Sequence, residues 1–201
     1  TNAGTFALTA ADLAEAKVTS MYRDEDTGIT HIYLRQMVSG LEVVQSDLNI
    51  HITKKGEVIC VGGGFVPGLT ALSEAGGLLR RPYLTADEAV RRAAAILGLT
   101  PNSDPEVISE ADEGEKLVIA AKGVSLDDIK AELHYVPTEN GSAKLSWGLI
   151  VRTPDGQHWY DMSVDAEKGE LASQSDWIDS ETYTVVAMPS EHPNDGFIRT
   201  V

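Results

Sequence analysis

Hydrophobic and polar positions change their period several times along the chain. Thr9 precedes an Ala/Leu-rich run, Ala10 to Ala16, and serves as an N-cap for a short helix that ends before Val18. The β-branched and aromatic run from Gly28 to Met37 predicts a strand. Ser39-Gly40 turns the chain into a second strand, Leu41 to Thr53. There Val44, Ser46, Leu48, Ile50 and Ile52 alternate with Gln45, Asp47, Asn49 and His51, which predicts one buried face and one polar face. Lys54-Lys55-Gly56 turns again into Glu57 to Val61. Three such strands make an antiparallel meander with one face to bury. Cys60 is expected inside it, because Val58, Ile59 and Val61 surround it.

The second half repeats the order of helix and then strands, without a sequence repeat. Gly68 to Arg81 predicts a linker with one helical turn. Thr85 and Glu88 are spaced as a capping box, and the apolar residues from Ala89 to Leu97 recur with helical period up to Gly98 and Pro101. The acidic stretch Pro101 to Gly114 predicts a solvated loop. Strands follow at Leu117–Ala121, Ala131–Val136, Lys144–Thr153, His158–Val164 and Glu170–Trp177, with Pro154-Asp155-Gly156 as a hairpin turn. The expected class is α+β, with each half a helix packed on a small antiparallel sheet.

Composition narrows the role. The chain has 201 residues, 16 Lys plus Arg and 31 Asp plus Glu, a formal charge of −15. Such an acidic chain repels phosphate backbones, so no nucleic-acid partner is expected. No apolar run is long enough for a membrane-spanning helix, so no membrane role is expected. One cysteine excludes an internal disulfide. The chain opens on Thr1 and closes abruptly on Val201, so a trimmed piece of a longer protein is expected.

Candidate reactive groups are sparse. Gly62-Gly63-Gly64 lacks the Lys-Ser/Thr and the helix of a phosphate loop and predicts a strand exit. His31 and His51 fall on neighbouring strands where their side chains can meet, yet two imidazoles without a third ligand make a poor zinc site. The histidines do not form a His-Glu-x-x-His pair, no Gly-x-Ser-x-Gly elbow occurs, and Cys60 has no basic neighbour in sequence to activate it. No catalytic residue and no cofactor is therefore expected in this chain. Asn140-Gly141-Ser142 is a glycosylation sequon in a predicted turn.

The segments Thr30–Gln36, Gly40–Val43, Asp47–Ile52 and Gly56–Ile59 resemble the propeptide module of fungalysin and thermolysin-type metallopeptidases. The resemblance continues through Leu84–Ala89, Leu97-Gly98-Leu99, the Trp147–Val151 and His158-Trp159-Tyr160 strands, Val164-Asp165-Ala166 with Gly169, and Asp176-Trp177-Ile178 with Tyr183. It implies two cystatin/PepSY-like subdomains, an N-terminal one at 1–80 and a C-terminal one at 81–180, followed by an extended segment, 181–201, leading to a cleavage site. It also implies a secreted, extracellular prosegment that is not itself an enzyme. The implied role is intramolecular chaperone and inhibitor of the mature metallopeptidase catalytic domain, which would hold the zinc. In that reading Phe197 and Ile198 are apolar anchors, Arg199 and Thr200 further inhibitory contacts, and the Val201 carboxylate a ligand for the partner's zinc. Arg35, Gln45, Asp47 and Asn49 are the expected docking surface.

Two other readings remain open at this point. One is a free-standing PepSY/cystatin-like inhibitor or binding module. The other is a glycosidase-like fragment with paired carboxylates, disfavoured because acidic pairs such as Asp127-Asp128 sit in polar surroundings.

Overall fold

The computed structural model describes residues 7–178, 184–186 and 198–200. The first helix, α1 (Ala10–Ala14), starts at a capping box in which Thr9 and Asp12 each bond the other's backbone. Asp12 is buried, and its second carboxylate oxygen accepts from the Gly68 amide at 2.9 Å, so the cap also anchors a distant loop. Four strands follow: β1 (Lys17–Arg23), β2 (Thr30–Val38), β3 (Leu41–Ile52) and β4 (Val58–Gly63). Then come α2 (Leu69–Glu74), α3 (Ala86–Ile96) and six more strands. These are β5 (Glu106–Ala111), β6 (Lys116–Ala120), β7 (Ile129–Pro137), β8 (Ala143–Arg152), β9 (Trp159–Asp165) and β10 (Leu171–Asp176). A separate ladder pairs β11 (Thr184–Val186) with β12 (Ile198–Thr200).

The α+β expectation holds, with sheet dominating. The two halves share one ten-stranded sheet, because β3 meets β7 in parallel at Val43 and Tyr135. The main core crosses the same junction: Val38, Leu41 and Val43 cluster with Ala89, Val90, Leu145, Trp147, Leu149 and Met162. Small residues Ala86, Ala89, Ala93 and Ala94 let α3 sit close against β8 and β9. A satellite core of Leu8, Leu48 and Phe65 fills the space over the far end of β2 and β3. The connection between α2 and α3 is fastened from below: Tyr135 Oη donates to the Leu79 carbonyl at 2.9 Å and Trp147 Nε1 to the Leu84 carbonyl at 2.8 Å. Buried Tyr and Trp need such partners, and here they fix the connection between the halves.

Three expectations are corrected. Residues 106–111, expected in a solvated loop, are a strand, as are residues 17–23, to which no element was assigned; all their side chains are exposed, so no apolar alternation marks them. Cys60 is exposed, because β4 pairs with β3 but has no covering layer on its outer face. Val44 does not join the apolar face. A bulge at Gln45 (φ 57°) shifts the parity of β3, so Leu41 and Val43 face the core before it and Ser46 and Leu48 after it.

Candidate docking surface

Among the described residues, the helices leave the opposite face of the sheet uncovered. On β2 and β3, residues two apart share that face: His31, Tyr33 and Arg35, and His51, Asn49 and Asp47. On β7 to β10 the same face carries His134 and Ser163, whose neighbours along the strand turn into the core, and Ser173 beside them on β10. Between the two sets lies a groove of about 300 Å³ bounded by Arg35, Gln45, Asp47, His134, Ser163 and Ser173. Three of the four expected docking residues therefore line one concavity. Asn49 sits one step further along β3, over Gly62, where any Cβ would lie 2.7 Å from its Oδ1.

One wall of the groove is an ion-pair chain. Arg35 donates to both Asp47 oxygens, at 2.6 and 3.3 Å, and to Glu42 at 3.0 Å; Glu42 also accepts from Lys17 at 2.8 Å. The Asp47 bond, with Glu42 in support, raises the Arg35 guanidinium above its usual value. The Lys17 bond, with Arg35 behind it, lowers the Glu42 carboxyl. A fork-shaped guanidinium held by two carboxylates is a rigid feature on a surface of mobile side chains.

The floor is a hydroxyl–imidazole chain. Ser173 Oγ donates to Ser163 Oγ at 2.9 Å, and Ser163 Oγ lies 2.9 Å from His134 Nε2. With Ser163 accepting from Ser173, its own proton goes to Nε2 and the ring proton sits on Nδ1. His134 reaches across β8 only because position 148 is glycine; a Cβ there would lie 2.3 Å from the ring. Burial pushes His134 down to about 4, so the ring is neutral near pH 7. So weak a base accepts a serine proton poorly, and the chain presents fixed polar groups on the floor of the groove.

Sequence reading missed this floor, and it missed a second concavity of about 310 Å³ on the same face. There Trp159 and Trp177 lie with ring centroids 5.5 Å apart, Arg152 sits 5.7 Å from the Trp159 centroid, and Ile150 completes the apolar part. Trp177 is 53% exposed. A signal existed: Trp159 and Trp177 flank paired strands, and an exposed tryptophan at a strand end marks a contact surface.

The remaining candidates fall elsewhere. Asn140 stands exposed in the turn between β7 and β8. Ile198, Arg199 and Thr200 form β12. Phe197, Val201 and His192 lie outside the described residues. His158 pairs with Asp176 and stacks on Tyr160 at 5.1 Å. Among the described residues no group of three or more His, Cys, Asp or Glu side chains gathers as a metal site, and no helix is long and apolar enough to cross a membrane.

Comparison with known proteins places these elements. Residues 14–65 match the Fungalysin/Thermolysin Propeptide Motif. A protein named probable extracellular metalloproteinase 5 from Trichophyton verrucosum is 30% identical over 172 residues, 85% of this chain and 26% of its own length. Extracellular metalloproteinase 5 of Trichophyton tonsurans is 28% identical over 177 residues, 88% of this chain and 28% of its own length. The chain thus spans about a quarter of the curated relatives it matches. Among solved structures, the Bacillus megaterium YpeB C-terminal domain aligns with 80% of this chain and 56% of its own at a TM-score of 0.37 and 9% identity. The matched motif covers β1 to β4, the strands that build the Arg35 wall, and together with the fungal relatives it supports a fungalysin-type propeptide.

Proposed function

We propose that the chain is the prosegment of a secreted zinc metalloendopeptidase, that it helps the catalytic domain fold, and that it covers that domain's cleft until it is cut away. The observation that carries this reading is the uncovered face of the sheet. The helices pack on one side, and the other side presents a rigid Arg35–Asp47 wall, a preformed polar groove and two exposed tryptophans. Trp and Arg in preformed hollows are the residues that dominate binding energy at protein interfaces. A surface that binds the native catalytic domain and not its unfolded chain favours folding by mass action, and the same surface excludes substrate when it lies over the cleft.

The C-terminal segment completes the block in this proposal. Phe197 and Ile198 fill apolar subsites, Arg199 and Thr200 add polar contacts, and the Val201 carboxylate takes the water's place on the partner's zinc. Extended backbone at Ile198–Thr200 supports a peptide able to lie along a cleft. Asn140, on an exposed turn, is the proposed sugar acceptor. The chain itself carries no reaction in this account.

The test adds the purified chain to separately prepared mature peptidase. Inhibition is expected, weakened by deleting residues 194–201, with residual binding kept by the sheet face. A chain that neither inhibits nor aids refolding of the peptidase overturns the proposal. Inhibition of unrelated proteases instead would favour a free-standing inhibitor.

A further inference from the structure

Strand register sets His31 of β2 directly opposite His51 of β3. Their rings meet edge to face, with centroids 4.7 Å apart and planes at 70°, and the two Nδ1 atoms are 2.7 Å apart. The same row continues to Tyr22 on one side and Cys60 on the other. Tyr22 stacks on His31 at 4.8 Å, and Tyr33 stands edge-on to His51 at 6.4 Å. Both rings are thus held from the side, on rigid strands, with like atoms converging on one point.

Two neutral imidazoles hold this contact only when one Nδ1 donates and the other accepts. A cation can replace the shared proton. We propose that His31 and His51, whose Nδ1 atoms the paired strands already bring together, form a two-point chelate, weaker than a three- or four-ligand zinc site, for a late first-row divalent cation such as Zn²⁺, with water completing the shell. Imidazole nitrogen is a favoured ligand for these ions. At Zn–N distances of about 2.0–2.1 Å and tetrahedral angles the two nitrogens stand roughly 3.4 Å apart, so the rings separate by less than about 1 Å. The donating ring moves its proton from Nδ1 to Nε2, and both lone pairs then face the ion. Asp24, whose carboxyl is lowered first by the Thr27 amide and also by His31, places a negative charge nearby. The site is independent of the groove and of the docking reading. It ties β2 to β3, so the ion stabilises the sheet it bridges.

Calorimetry of the full chain with Zn²⁺ alone tests it. The expected result is a saturable one-to-one isotherm. Changes in outer-shell groups already cost about 10–100-fold in metal affinity, so His31→Asn and His51→Asn should each weaken binding at least about tenfold. Cys60→Ser should leave binding unchanged. Zn²⁺ should raise the melting temperature of the parent and of Cys60→Ser, but not of the histidine variants. In the parent chain, whatever the fate of the variants, Zn²⁺ should shift the Nδ1 resonances of both rings. An isotherm that does not saturate, equal affinity in the histidine variants, loss of binding in Cys60→Ser, or unmoved Nδ1 resonances overturns the proposal.

Discussion

Ser46 Oγ donates to Gln36 Oε1 at 2.6 Å, a fully buried bond between two polar side chains in an otherwise apolar layer. The same Gln36 oxygen accepts from the Val66 amide at 2.8 Å, and its nitrogen donates to the Val66 carbonyl at 2.8 Å. Gln36 sits where the β2–β3 register breaks, and it fills the gap that the bulge at Gln45 opens. Replacing it by leucine leaves the half-buried Val66 amide and carbonyl and the buried Ser46 hydroxyl without that partner. Each stranded group costs about 1–3 kcal/mol, so Gln36→Leu should destabilise by roughly 2–4 kcal/mol in urea titration.

His134 ties stability to acidity. It titrates near 4 in the fold, against 6.5 when unfolded. Between those values the unfolded chain binds more protons, so stability is fully present above 6.5 and falls as pH drops towards 4. The loss is on the order of 3 kcal/mol. Denaturation midpoints measured from pH 7 to pH 4 should show this decline in the parent and a shallower one in His134→Asn. Gly148→Ala, which pushes the ring off Ser163, should flatten the same profile.

Gly63 has φ +77°, and a Cβ there would lie 2.3 Å from the Asp47 carbonyl oxygen. Both the conformation and the space demand glycine. Gly63→Ala should cost at least about 2 kcal/mol, whereas Gly64→Ala, with open space around it, should cost far less. Thermal melts of the two variants side by side decide this.

Arg35→Ala separates docking from folding. Partly exposed ion pairs contribute about 0–1 kcal/mol, so its melting temperature should move little. Inhibition of the peptidase should fall clearly, because the variant deletes the wall of the groove. A parallel fall in stability and potency would make Arg35 a structural residue only.

Much of this architecture is written in local pattern. The capping box at Thr85 and Glu88, the helix that follows and the long strands β3 and β8 carry the periodicity that burial on one side imposes. Strands with every side chain in water carry no such mark, and so Lys17–Arg23 and Glu106–Ala111 are invisible to it. The bulge at Gln45 is equally silent, since a single left-handed residue leaves the flanking composition unchanged. Arg35, Gln45 and Asp47 were legible because two adjacent strands display them. His134 and Ser163 were not, because they meet across an intervening strand and only over a glycine.

The parallel bridge between Val43 and Tyr135 bears on how a cut in one half of the chain reaches the other. Of the buried apolar side chains on the strands of the matched motif, Leu48 packs in the small cluster with Leu8 and Phe65, whereas Val38, Leu41 and Val43 join a core built with Leu69 and Leu78 and, for the most part, with residues from beyond position 80. A cut in the later half therefore removes much of the shelter of the earlier one, and a single nick can propagate through both.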